Sequence, residues 1–182
     1  MMEENRISMI NSRRFELRKV HEDELEQQLG LLNQAKTILQ ERNIPQWQEG
    51  PYPSMSDLEH DFALGQSYGF FSGKTLVATA AVSAVQNPLY DDERFQKNEH
   101  YLIVHRFAVS STFAGQGIGT KFLQAIIENA QKRGIYDLRI DTHPRNFAMQ
   151  KTIIRAGFHE VGELILPAIT NPERIVYQVT TN

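Results

Sequence analysis

The sequence contains no cysteine. Disulfides, thiolate metal sites and an acetyl-cysteine intermediate are therefore excluded, and the composition fits a reducing cytoplasm. No apolar run reaches membrane-spanning length, which leaves no case for a membrane partner. Nor is there a surplus of bases: 19 Lys and Arg stand against 22 Asp and Glu, for a net charge of −3. Arg13-Arg14 is only a pair, far short of the basic patch that would hold nucleic acid. The opening MMEENRISMINSRR has two acids before its first base and no apolar segment, so it does not read as a secretory signal. Internal repeats and low-complexity linkers are missing too. What remains is ordinary for a globular protein: 182 residues, 41% hydrophobic and 23% charged. The expectation is one domain over 1–182, long enough to bury a core.

The most informative stretch runs from Tyr101 to Arg133. It reads as an apolar strand (YLIVHRFAV), a polar loop (SSTFA), a glycine cluster (GQGIG) and an amphipathic helix (TKFLQAIIENAQKR). The first turn of a helix has N–H groups without partners, and its dipole favours an anion. Glycines at 115, 117 and 119 leave no Cβ in the way of a phosphate. A dinucleotide fingerprint G-x-G-x-x-G would need glycine at 120, where Thr120 stands. A P-loop fails as well, since no Gly-Lys-Ser/Thr follows Gly115. A nucleotide-binding regulatory domain is thereby disfavoured.

The pattern left over is Ala114, Gly115, Gln116, Gly117, Ile118, Gly119, Thr120 after a strand ending in Phe107, Ala108, Val109. It resembles the pyrophosphate loop of the GNAT N-acetyltransferase superfamily, which binds acetyl-CoA. The family's leading Arg or Gln is Ala114 here, which removes one phosphate contact, while Gly117 and Gly119 keep the approach open. Downstream, Asn146 and then Gly157-Phe158 stand at the family's spacing. The stretch THPRNFAMQ resembles a bacterial branch with Met149 in place of Ala. The resemblance covers roughly the last two thirds of the chain. It implies an α/β (α+β) fold: a mixed six- to seven-stranded sheet, about four flanking helices, and a splay between two central parallel strands. It implies acetyl-CoA as co-substrate with no metal, and an amine of a small molecule or peptide as acceptor. Residues 107–109 and 114–120, with Asn146 and Met149, would hold the coenzyme; Asn146 is equally a plain helix N-cap. Many members carry a tyrosine acid at the position of Ile153. Its loss, with Ala114, keeps open a non-catalytic acyl-CoA sensor. A homodimer is the open alternative on general frequency.

The remaining elements follow from periodicity. Phe15–Val20 alternates as a half-buried strand, and Glu22–Arg42 repeats apolar residues at helical spacing up to Pro45. Ser56 and Glu59 form a capping box for a second helix. Ser67–Phe71 and Thr75–Val85 read as strands, and the excursion Asn87–His100 carries Asp91, Asp92 and Glu93 as a solvated run or a cation site. In the strand Tyr101–Val109, Ile103, His105, Phe107 and Val109 should share one face, and Leu102, Val104, Arg106 and Ala108 the other. Leu138–Thr142 is its parallel neighbour, and a closing hairpin pairs Phe158–Leu166 with Arg174–Thr180.

Attack on a thioester needs a neutral amine and a proton acceptor. His105 is the first candidate, against a structural histidine bonded inside the sheet. Asp141 and His143 share a strand face where they could hold the amine or relay a proton; His143 reads equally as an exposed loop residue. With no third ligand nearby, a metal is not expected. Tyr177 or water would then supply the proton for the leaving thiolate. Trp47 and Tyr52 either line an acceptor pocket, a use the family makes of this loop, or pack the loop on the core.

Overall fold

A computed structural model describes residues 15–181; the opening segment with Arg13-Arg14 lies outside the described residues. Among the described residues, seven strands form one mixed sheet in the order β1-β2-β3-β4-β5-β7-β6. They are β1 (Phe15–Lys19), β2 (Ser67–Ser72), β3 (Thr75–Ser83), β4 (Leu102–Val109), β5 (Asp137–Thr142), β6 (His159–Ile165) and β7 (Glu173–Thr180). Only the β4–β5 neighbours run parallel. Four α-helices flank the sheet: α1 (Leu25–Glu41), α2 (Met55–Ala63), α3 (Ile118–Lys132) and α4 (Phe147–Arg155). The expected mixed α/β architecture is thus what forms, with seven strands and four helices.

The main core lies between the sheet and α3 with α4. Ile118, Phe122, Leu123, Ile126 and Ile127 of α3 meet Leu102, Val104, Leu138 and Ile140 of the central strands. Each such side chain stabilises the fold by about 1.5–3 kcal/mol. α1 and α2 bury a second cluster with Leu32, Leu58, Phe71 and Ala108. β3 is buried at every position but its first, as a strand covered on both faces must be.

Three sequence expectations need correction. α1 starts after a short 3-10 turn at Glu22–Glu24, not at Glu22 itself. The capping box of α2 uses Ser54 and Asp57, not Ser56 and Glu59: the Ser54 N–H donates to Asp57 Oδ2 at 2.7 Å, and Ser54 Oγ accepts from the Asp57 N–H. Ser56 falls inside the first turn, too late to cap it. The third correction concerns β4. Two steps on β3, Thr79 to Ala81, face three on β4, His105 to Ala108. The extra residue is a bulge, with Arg106 at φ +49°. It shifts the two-residue period by one, so Phe107 and Val109 join Leu102 and Val104 on the α3 face. Phe107 stacks on Phe122 with centroids 5.3 Å apart. Ala108 turns to the α1 side.

The excursion between β3 and β4 is pinned to the sheet by a buried polar network. Arg139 is fully buried, pairs with Asp137 at 2.7 Å and lies 3.8 Å over the Tyr101 ring. Its Nη1 donates to the Tyr90 carbonyl. Gln178 bridges Asp137 and the Gln96 backbone. Asn87 caps a turn at Pro88–Tyr90, so this network fixes where the Tyr90 side chain goes. Two acids of the excursion are paired: Asp92 with Arg94, and Asp91 at 3.8 Å from Arg139, while Glu93 is exposed.

Candidate active site

The parallel ladder of β4 and β5 has three residue pairs, Leu102↔Leu138, Ile103↔Arg139 and Val104↔Ile140. Beyond Val104 the strands part. The bulge at His105 and Arg106 begins at that point and turns β4 away from its neighbour. A cleft of about 800 Å³ occupies the gap. It runs from the start of α3 to two loops, one carrying Gln46, Trp47 and Tyr52, the other Ile169 and Thr170.

At one end the wall is main chain. Gly117 is the N-cap of α3 at φ +72°, and no side chain caps the helix. Gly115 is also left-handed, at φ +74°, and a Cβ at either glycine would meet open space. These two positions need glycine for their backbone conformation. Gly119 is different: a Cβ there would lie 2.9 Å from Thr152 Cγ2 and 3.4 Å from Val109 Cγ2. Its smallness serves the packing of α3 on α4, and openness to a ligand is secondary. Ala114, Gly115, Gly117, Ile118, Gly119 and Thr120 all line the cleft, as do Phe107, Ala108 and Val109; Gln116 does not. α4 contributes Ala148, Met149, Thr152 and Arg155. Ile153 is turned the other way, fully buried in the main core, so position 153 faces no cleft whatever residue it holds. Asn146 both lines the cleft and caps α4, its Oδ1 accepting from the Met149 N–H at 3.3 Å.

At the other end the wall is side chains drawn from distant segments. Asp141, at the end of β5, accepts from the Tyr90 hydroxyl and lies 3.4 Å from Arg174 Nε. Burial raises its carboxyl above the usual range; the Tyr90 hydrogen bond and the Arg174 charge oppose that. Burial and the neighbouring carboxylate push the Tyr90 phenol up in turn. His105 lines the cleft edge-on to Tyr90, with centroids 6.1 Å apart. Burial, helped by Arg106, pulls its imidazole down to about 4. Arg106 is committed elsewhere: Nε and Nη2 hold Asp61, which is 1% exposed, and Nη1 donates to the Tyr52 hydroxyl at 3.0 Å.

Two sequence candidates fall outside the cleft. Tyr177 is fully buried, paired with Ile140 in the sheet and packed in the main core. His143 is 5% exposed, not a loop-surface residue, and does not line the cleft. Its Nδ1 accepts from the Arg145 N–H at 3.1 Å, which locks the turn before α4. It therefore does not share a site with Asp141: the strand ends between them, and the chain turns.

Four further residues shape the cleft or its walls without a clear mark in the sequence. Gln46 gathers three donors on its Oε1, from Thr142 Oγ1, the His143 N–H and Asn146 Nδ2. It ties the loop after α1 to the end of β5, across the cleft, next to Trp47 at φ +64°. Tyr90 could have been found from Asn87-Pro88, an N-cap followed by Pro. Asp61 lies three residues from Leu58 on the buried side of α2, a polar residue that its burial obliges to pair. Arg174 had no local signal.

A model of the acetyltransferase (GNAT) family matches residues 32–158. No curated protein matches significantly. Among solved structures, a GNAT acetyltransferase from Streptococcus agalactiae is 29% identical, with a TM-score of 0.83 over 92% of this chain and 96% of that one. A GNAT acetyltransferase from Listeria monocytogenes is 18% identical, with a TM-score of 0.67 over 92% and 95%. The aminoglycoside acetyltransferase AAC(6')-Ib, solved with coenzyme A and kanamycin, is 17% identical, with a TM-score of 0.66 over 92% and 95%; at such identities these last two speak for the fold alone.

Proposed function

The chain belongs to the acetyltransferase (GNAT) family, and on that premise we propose that it acts as one domain, moving the acetyl group of acetyl-CoA to an amine of a small molecule or peptide by direct attack in a ternary complex. The observation that carries this reading is the early end of the β4–β5 ladder beside an uncapped helix start at Gly117. The first supplies a slot with unpaired backbone, and the second supplies N–H groups for a diphosphate. The coenzyme-bound neighbour of the same fold is consistent with that use.

In this reading the diphosphate lies over residues 115–120, and the pantetheine arm enters the gap along Phe107–Val109. The Ser110 N–H donates to the Val77 carbonyl of β3 at 2.8 Å. Strand alternation then turns the Val109 N–H to the open side, where it can donate to the thioester oxygen as negative charge develops. The amine nitrogen attacks the thioester carbon; the N–C bond forms and the C–S bond breaks. The nitrogen gives up one proton, and the departing thiolate takes one from water.

Asp141 is the proton acceptor this geometry favours. Its raised carboxyl is a stronger base than an ordinary one, and a carboxylate has lone pairs left after Tyr90 and Arg174 are satisfied. His105, whose imidazole burial pulls down to about 4, lies edge-on to Tyr90; it shapes the wall. Trp47 and Tyr52 close the acceptor end. The setting is the cytoplasm; among the described residues no helix is long and apolar enough to cross a membrane.

Calorimetry with acetyl-CoA, paired with thiol release on a panel of amines, tests the reading. Gly117→Asp puts a carboxylate where the diphosphate should lie and should weaken acetyl-CoA about a hundred-fold, ~2.7 kcal/mol; the left-handed backbone at 117 adds a stability cost of about 1–2 kcal/mol, which thermal melts read separately. Undiminished affinity in that variant would remove the phosphate loop from the argument.

A further inference from the structure

We propose that the acceptor is an α-amino acid, its carboxylate held by the Arg174 guanidinium and its amine turned toward Asp141; the proposal rests on the transfer reaction above. Arg174 stands near the start of β7 and is 5% exposed, yet it lines the cleft. Its Nε faces Asp141 at 3.4 Å, and its Nη1 donates to the carbonyls of Asn171 at 3.0 Å and Glu173 at 2.7 Å. Its Nη2 has no acceptor among the described residues. A guanidinium this deep, held on two nitrogens and idle on the third, is built for a planar anion arriving from the cleft.

The charge balance points the same way. The other guanidinium of the cleft, Arg106, is filled by Asp61 and Tyr52. Arg106 with Asp61 and Arg174 with Asp141 each sum to zero, and His105 is neutral. A zwitterion enters such a site without leaving a buried charge unpaired. A polycationic amine would need surplus buried carboxylates; besides Asp141, the carboxylates lining the cleft among the described residues are Glu41 and Glu49, and both are exposed. Thr170, on the facing loop, lowers the Glu49 carboxyl. An α-amino acid carries its amine and carboxylate on one carbon, which suits an arginine and an aspartate already in contact.

The test measures kcat/KM for thiol release from acetyl-CoA with the twenty standard amino acids, their α-amides and kanamycin. At least one free acid should exceed its own amide by about 10- to 100-fold, the effect of losing one charged hydrogen bond. That ratio should collapse toward one in Arg174→Gln and recover partly in Arg174→Lys. Thermal melts establish that the variants fold, and the acid-to-amide ratio of the unaltered protein stands without them. Equal rates for acid and amide, preference for kanamycin, or no acetylated amino acid would overturn the proposal. Calorimetry separates the two levels: heat with acetyl-CoA alongside any of those results sinks only the acceptor assignment, whereas no heat sinks the transfer reading beneath it.

Discussion

The two ends of the cleft are built on different principles. The end proposed for the coenzyme is main chain: Gly115 and Gly117 in left-handed conformation, a helix start without a cap, and a strand without its neighbour. The acceptor end is side chains, and each is held by a residue far away in sequence. Asp141 is held by Tyr90 and Arg174, Arg106 by Asp61, and the loop at Gln46 by the start of α4. Backbone can recognise a constant group such as a diphosphate with almost any side chains around it. Discriminating among amines takes specific donors and acceptors, and those can change while the frame stays.

The largest effect is expected at Asp141. Asp141→Asn keeps the size and removes the proposed proton acceptor, and it also takes the counter-charge from the buried Arg174, so urea unfolding must accompany the kinetics. We expect kcat to fall about 10²- to 10⁴-fold, with acetyl-CoA affinity by calorimetry unchanged. A kcat within a few-fold of the unaltered protein would end the assignment and leave water as the acceptor. Next comes Asp61→Asn, which strands Arg106 beside the bulge. Removing one partner of a buried ion pair costs about 3–5 kcal/mol, and the exposed edge of Arg106 places this case near the lower figure. Urea unfolding measures it, and a loss below ~1 kcal/mol would mean the bulge is held by something else.

A smaller effect belongs to the coenzyme end. Gly119→Ala puts a methyl 2.9 Å from Thr152 Cγ2. Crowding costs about 1–3 kcal/mol, while alanine in a helix returns up to ~1 kcal/mol. The net should be a modest loss in melting temperature, restored by Thr152→Ser, which deletes the offending methyl and keeps the hydroxyl bond to the Ala148 carbonyl. Failure of that rescue would reinstate ligand approach as the reason for glycine at 119.

The smallest expected effect is His105→Gln at neutral pH. Because its folded value is depressed to about 4, below the ordinary 6.5, the unfolded chain binds the extra proton more readily between those limits. Stability should therefore rise with pH from about 4 to 6.5 and fall as pH drops through that window. Melting curves of His105→Gln should lose that slope. Glu24, held at about 2 by Arg18, adds its own loss below 4.5 in both proteins. If the two proteins show the same slope between 5 and 6.5, His105 is not the group that titrates there.

Legibility followed the same division. The strand, the glycine cluster and the helix Ile118–Lys132 were readable because each is set by neighbours in the chain: apolar spacing, absent Cβ atoms, Lys132-Arg133-Gly134 at the end. The alternation along β4 misled, since a bulge depends on the partner strand and leaves no mark of its own. It moved Phe107 and Val109 to the other face. Tyr177 looked available as an acid because a tyrosine in a strand is equally at home on either side. His143 looked exposed because Pro144 follows it, and only Gln46, nearly a hundred positions away, shows why the turn is buried.

What the linear order of residues settled alone was local: which segments are strands and helices, where backbone can turn left-handed, and that no cysteine chemistry is on offer. Tertiary structure decided where the β4–β5 ladder ends, which of two faces each side chain takes after the bulge, and that Tyr90, Asp141 and Arg174 meet. The reason lies in the range of the forces. Backbone conformation and periodicity are fixed within a few residues, whereas burial, pairing and the shift of a carboxyl depend on groups that only folding brings together.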